Sequence, residues 1–398
     1  MGTRQIVPLV AVLLVQMACS SESTRAHSDW SMPVPAETPV HEFPHVSLEA
    51  RTEHLMVERD LALAGALGVP FGRLGAVSLD DAGVLYVLDQ AGHQVAVFGE
   101  EGKVRSVFGR AGGGPGELAY PHLVAVIGDR VFLHSRRLAR LSVFDLQGNH
   151  VADHGMPGSF TPALMTGAGD GFLAVDAQEA MVTSEGPRPA RWSVGLHSLD
   201  GKLVHKIFEL ERKPDAYWAN PRGGGEIPVT APDPRGAFSA GAVYVTDGRA
   251  YQVLALTPGG DPVWALRTDY TAPGPSEEFK RSVIGSDLPE YGPGWRVSSD
   301  PGSLFWPEHF ATIENLEVDG SGNLYVFLHA DRTREEWQEI HRPVPVDVYS
   351  PDGERLFTGL SPIDGWDAAR GDYLYRIERD PATQEYVVAR YRLQRPGD

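Results

Sequence analysis

Cysteine is almost missing from this chain. Cys19 is the only one in 398 residues, so no disulfide can form within the chain and no cysteine nucleophile lies beyond the extreme N-terminal region. Positive charge is also scarce. Lys and Arg number 35 against 53 Asp and Glu, a formal charge of −18, and such a surface repels phosphate backbones and anionic headgroups. Nucleic acid is therefore excluded as a natural partner. Long apolar runs are lacking too: the stretch from Ile6 to Val15 is about half of the ~20 residues a membrane-spanning helix needs, and no later segment qualifies.

Catalytic signatures are equally thin. No G-x-S-x-G elbow, Walker-type loop or dinucleotide fingerprint stands between a strand and a helix, and the glycine-rich AGGGPGE at residues 111–117 is followed by neither helix nor Lys. His41-Glu42-Phe43-Pro44-His45 spells the H-E-x-x-H of zinc proteases. That chemistry needs both histidines on one helical face, and Pro44 opposes a helix there. Asp319 to Asn323, DGSGN, has the alternating oxygens of a calcium loop but no distal bidentate Glu, and reads as a tight turn.

What is abundant is turn chemistry, with 44 glycines and 31 prolines spread between short apolar runs. That distribution predicts many short strands joined by tight turns. The N-terminus has the layout of a secretory signal: Arg4, the apolar stretch, then Gln16-Met17-Ala18. Residues 1–18 are read as a signal peptide and residues 19–45, rich in Ser, Pro, Thr, Glu and His, as a flexible linker. The segment ending at Cys19 resembles a bacterial lipoprotein signal, with Gln16 and Met17 where that pattern carries Leu and a small residue. The resemblance implies acylation of Cys19 and an exported protein, periplasmic or at the cell envelope, lipid-anchored to a membrane.

From residue 46 onwards a unit recurs: an apolar strand, a short turn containing glycine, and a second apolar strand. Five copies centre on Gly102, Gly148, Gly201, Gly260 and Gly353, each glycine placed where a hairpin needs positive φ. Upstream of most copies lies a further apolar strand, near Tyr86, Phe132, Tyr244 and Tyr325. Each unit thus holds about four strands. Spacings of 46, 53 and 59 residues between the first four turn glycines match propeller blades. The last hairpin, from Gly371, lacks a partner strand, and residues 46–58 are an orphan strand that would complete it and close the ring. The expected fold is all-β: a six-bladed β-propeller of four-stranded antiparallel blades over residues 46–398, closed by an N-terminal strand.

Residues 107–126, VFGRAGGGPGELAYPHLVAV, resemble the blade junction of NHL-type six-bladed propellers, and residues 70–89, PFGRLGAVSLDDAGVLYVLD, are similar to a shorter version of it. The resemblance is to bacterial six-bladed propeller lipoproteins of undefined role.

Function should then reside on the channel mouth and its loops. Insertions at 211–237 and 269–310, with a shorter one at 329–343, carry Trp218, Trp295, Trp306 and Trp337, besides Phe310. Loop aromatics form recognition surfaces or pack the insertions onto the propeller as satellite cores; both remain open here. A short helix is expected from Glu277 to Ile284, capped by Ser276 and burying Phe279. Polar residues where inner strands begin are the channel candidates: His122, His309, Glu314 and Asn315, with Glu308 beside them.

Two readings follow. The leading one is a monomeric binding or scaffolding protein holding a peptide, glycan or protein partner, with no cofactor. The alternative rests on similarity to six-bladed lactonases and gluconolactonase-like enzymes, which implies a metal-dependent hydrolase or lyase with a divalent cation near Glu314 and Asn315.

Overall fold

The five turn glycines adopt φ between +73° and +94°, and each donates its amide to the carbonyl three residues earlier. A side chain at this left-handed position would be strained, which is why glycine marks every one of these hairpins. In the same way Asp319 Oδ1 accepts from the amides of Ser321 (2.8 Å) and Asn323 (3.0 Å), so DGSGN is an Asx-type turn.

A computed structural model describes residues 31–157, 162–178, 181–183, 186–188, 190–212, 218–219, 225–226, 234–239, 241–285, 308–329, 343–380 and 382–394. They form six four-stranded antiparallel blades in one ring. The innermost strands, in blade order, are Leu74–Leu79, Pro121–Ile127, Pro162–Ala168, Arg235–Phe238, Ile313–Val318 and Ala368–Arg370. Inner strands of blades 1 and 2, 2 and 3, 4 and 5, and 6 and 1 touch across the channel wall. In blades 1 to 5 the second strands are deeply buried. Tyr86, Phe132, Phe172, Tyr244 and Tyr325 on them are at most 1% exposed, because both faces of a central strand pack on neighbouring blades.

The ring closes as expected, with a shift in position. Met56–Leu63 pairs antiparallel with Tyr386–Gln394 as the outer strand of blade 6. Sequence placed this strand at 46–58. Instead, Leu48–Ala50 form a 3-10 turn, and Leu55 and Glu53 bond to Leu360 on the rim of blade 5 at 2.8 Å each before the strand begins.

The reading of residues 19–45 as a linker is corrected over its described part. Met32 and Val34 are buried in the core shared by blades 3 and 4. Ser31 donates through both its amide and its hydroxyl to Gln252. Val40–Phe43 then pairs in parallel with the outer strand Pro262–Thr268 of blade 4. An outer strand exposes unpaired backbone groups, and a short segment of modest apolarity suffices to cover them. Residues 31–63 thus run as a belt outside blades 4, 5 and 6. His41 lies on an extended strand against Trp264, and His45 stacks on Tyr270 with ring centroids 3.9 Å apart, so the H-E-x-x-H histidines share no helical face.

Of the insertions, the described part of 269–310 contains the helix Glu277–Val283, where Ser276 Oγ accepts from the Phe279 amide at 3.1 Å. Phe279 and Phe310 are buried edge to face, 5.0 Å between centroids, a satellite core on the propeller. Among the described residues no helix is long and apolar enough to cross a membrane.

Candidate functional site

The inner strand of blade 5 opens with Ile313-Glu314-Asn315. Strict alternation would send Glu314 and Asn315 to opposite faces. Ile313 pairs with Leu328 and Asn315 with Phe327, so Glu314 has no opposite number and the strand bulges there. A bulge re-aims side chains, and Glu314, Asn315 and Glu317 all line one cavity while Ile313 and Leu316 stay in the core. The cavity, about 500 Å³, lies at the leading ends of the inner strands of blades 4 to 6. Arg235 of blade 4, His329 after the second strand of blade 5, and Asp364, Trp366, Asp367 and Arg376 of blade 6 complete it.

Most of these groups hold one another. His329 Nδ1 donates to Glu314 Oε1 at 2.7 Å, and its ring stacks on Phe310 with centroids 4.1 Å apart. The Asn315 amide donates to Glu317 Oε1 at 2.8 Å. Arg376 pairs with Asp364 at 2.5 Å, Asp367 accepts from the Ile377 amide at 2.7 Å, and Trp366 donates its indole N–H to Val318 O at 3.2 Å. Arg235 Nε donates to the Glu314 carbonyl at 2.9 Å. Burial opposes the charge of Arg235 and the nearby Glu314 carboxylate favours it. Desolvation pushes Glu317 up to about 8, with the charge of Asp367 adding to the rise and the Asn315 bond opposing it. One atom is left over: the His329 side chain is 1% exposed, and its Nε2 has no partner among the described residues. Such a buried polar atom costs about 1–3 kcal/mol while unmet.

The arrangement offers a carboxyl that keeps its proton near neutral pH, an imidazole oriented by a carboxylate, an amide and two guanidiniums. It does not fit a lactonase-type metal centre. Among the described residues no group of three or more His, Cys, Asp or Glu side chains is placed to hold a cation, and Glu314 and Asn315 are committed to His329 and Glu317.

The other candidates lie elsewhere. His122, on the inner strand of blade 2, donates from Nε2 to Pro162 O at 3.2 Å, which leaves Nδ1 of the neutral ring to face His134 Nδ1 at 3.3 Å. Burial, then His122 and Arg136, push His134 down to about 3, and burial lowers His122 as well. The pair is a neutral joint between blades 2 and 3. His309 is half-exposed, donates to Ala272 O at 3.2 Å and is absent from the cavity wall. Trp218 lies on the two-residue strand Trp218–Ala219, paired with Gly225–Glu226, and its side chain is outside the described residues. Trp295, Trp306 and Trp337 are outside them entirely.

Sequence reasoning missed Arg235, Glu317, His329, Asp364, Asp367 and Arg376. Glu317 was within reach, two residues beyond Asn315 on the same strand face. The blade 6 residues arrive only through closure of the ring and leave no local signal.

No family model matches the chain, and no curated protein sequence matches it. Solved structures do. The chain is similar to a member of the duf4221 family from Bacteroides vulgatus at 14% identity, covering 86% of this chain and 98% of that one with a TM-score of 0.50. It is also similar to a Bacteroides fragilis protein assigned as exported, at 12% identity over 89% and 100% of the two chains with a TM-score of 0.46. A third is virginiamycin B lyase from Staphylococcus aureus, at 9% identity over 85% and 100% with a TM-score of 0.40. At these identities the likeness is one of fold: the chain is a six-bladed β-propeller.

Proposed function

We propose that this propeller, NHL-like in its blade junctions, is an exported binding protein of the cell envelope. In this reading residues 1–18 direct export, acylated Cys19 tethers the monomer to a membrane, and the cavity between blades 4, 5 and 6 holds a glycan, peptide or protein group. The observation that carries the reading is the cavity wall itself. Polar side chains from three blades converge on about 500 Å³, within the range of small-ligand sites, and are held in place by bonds to one another before any ligand arrives. A metal-dependent hydrolase or lyase is the weaker alternative, because Glu314 and Asn315 already have partners.

Thermal unfolding in the presence of a fractionated cell-envelope extract tests the binding reading. The wild-type midpoint should rise with at least one fraction, since a ligand that binds only the native state stabilises it. A variant with Asn315→Ala and Arg376→Ala, folded by circular dichroism, should lose that rise. If no fraction moves the wild type, or if the variant responds equally, the cavity is not the binding site.

A further inference from the structure

The two most exposed large apolar residues among those described, Leu67 and Tyr120, are 74% and 65% exposed, and both hold positive φ, +52° and +51°. That region is disfavoured for a residue with a side chain. Leu67 and Gly68, the latter at φ +79°, form the tip of a two-residue hairpin in which Gly65 pairs with Pro70 and Ala66 with Val69. Asn and Gly are what such a tip prefers, so the turn itself gives no reason for a leucine there. Ala66 is buried and anchors the hairpin, whereas Val69 is 63% exposed and nothing lies within 4 Å of the place where a Cβ on Gly68 would stand. The tip stands out from the ring.

Both exposed residues mark one face. The hairpin leads into Leu74, where the inner strand of blade 1 begins, and Tyr120 immediately precedes Pro121, where that of blade 2 begins. This is the mouth side, across the ring from the cavity of blades 4 to 6. Arg137 lies over the Tyr120 ring at 5.8 Å, and Arg73 and Arg137 are both exposed. Aliphatic and tyrosine side chains with arginines beside them suit the boundary between acyl chains and headgroups. The N-terminal segment arrives on the same face. Ser31 bonds to Gln252 at the start of the third strand of blade 4, and the loop before that strand reaches the leading end of blade 5, where the Thr312 amide donates to Gly248 O at 2.7 Å. Cys19 precedes Ser31 by 12 residues, a length of at most about 43 Å when fully extended. An acyl tether there would hold the mouth side near the bilayer.

Resting on the lipid tether of the reading above, we propose that the mouth face is turned to the membrane, with Leu67, Val69 and Tyr120 docked into lipid at headgroup depth. A formal charge of −18 opposes anionic lipid, so a surface of net-neutral phosphatidylcholine suits the contact. Hydrogen exchange of the full-length protein held on phosphatidylcholine vesicles by acylated Cys19, against a vesicle-free Cys19→Ser protein, tests this. Amides of residues 65–70 and 118–122 should exchange about 10-fold more slowly on the vesicles. Residues 149–152 and 261–264, which carry the exposed Val151 and Val263 at the opposite end of the blades, should exchange alike in both. Leu67→Asn with Val69→Thr suits the turn while removing the apolar tip, and should fold but lose the slowing at 118–122. Slowing at 149–152 and 261–264 instead, slowing of equal size at all four segments, or none at all overturns the docking. Slowing caused by a lipid-free envelope protein fraction and not by vesicles would assign the tip to a protein partner and overturn it too. Acylated Cys19 without slowing at the tip leaves the tether standing and the docking fallen. If mass spectrometry finds Cys19 unmodified, the tether falls, and coupling that thiol to a maleimide lipid lets the same exchange pattern decide the docking.

Discussion

Two polar clusters in blade 5 use similar residues to opposite ends. On the outer side, Arg51 from the belt reaches Asp347 with both terminal nitrogens, at 2.8 and 3.2 Å, and also donates to the carbonyls of Val346 and Val46. Tyr251 donates to the same carboxylate at 2.7 Å and lies 2.8 Å from the Tyr349 hydroxyl; burial, then the Asp347 charge, raises both phenols well above their usual range. Arg51 and Asp347 are 4% and 2% exposed. At the channel mouth, Glu314 and His329 form an equally short contact, but the wall opens on a cavity and His329 Nε2 is unmet. Completion marks the first cluster as structural. The second differs in that its polar groups border a cavity instead of closing on one another in the core.

The sharpest way to break this contrast is to open the closed cluster. Arg51→Ala would strand the Asp347 carboxylate in the core and is expected to cost about 3–5 kcal/mol in urea unfolding. The paired replacement Arg51→Met with Asp347→Leu removes both charges together and should recover most of that loss. A cost below about 1 kcal/mol for Arg51→Ala would mean that water reaches Asp347, and the two clusters would no longer differ in kind.

Local chemistry made much of the architecture readable. Gly102, Gly148, Gly201, Gly260 and Gly353 announce their hairpins because the turn itself requires positive φ, and Ser276 announces its helix because the cap is formed within three residues. The belt was not readable. Met32 and Val34 are isolated apolar residues among polar ones, and only the exposed edge and core of blades 3 and 4, built by residues more than a hundred positions away, give them somewhere to dock. The site was half readable for a similar reason. Glu314 and Asn315 follow from being polar at the start of an inner strand, but the bulge that turns both to one side depends on register with Leu328 and Phe327, and Asp364, Asp367 and Arg376 come from the neighbouring blade. His122 satisfied the same positional rule as Glu314, and its neighbour turned out to be another imidazole rather than a carboxylate.

The cavity should also reveal itself through pH. Glu317 starts from an ordinary value of 4.5 and is pushed up to about 8 in the fold. Between those values the unfolded chain has released a proton that the native state retains, so stability falls as pH rises from about 4.5 to about 8. The side chain is only half-buried by accessible surface, so solvent screening reduces the effect to about 2 kcal/mol. Urea unfolding at pH 5 and pH 8 should show this decline in the wild type and its absence in Glu317→Gln. A decline of the same size in the variant would place the responsible group elsewhere and remove the desolvated carboxyl from the account of the site.

The smallest effect belongs to the His122–His134 joint, with the opposite sign. His134 is held down at about 3 against an ordinary 6.5, so below pH 6.5 the unfolded chain takes up a proton that the native ring refuses. Stability is intact above that pH and declines as pH falls through 6.5 towards 3. Between pH 7 and pH 5.5 the loss through this residue is about 1 kcal/mol. His134→Phe retains a ring against His122 and removes the titrating group, so the difference in unfolding free energy between the two pH values should shrink by that amount relative to wild type. An unchanged difference would mean that water reaches the pair on the channel side. His122 would then be available to a ligand, and the cavity of blades 4 to 6 would no longer be the sole histidine-bearing candidate among the described residues at the mouth.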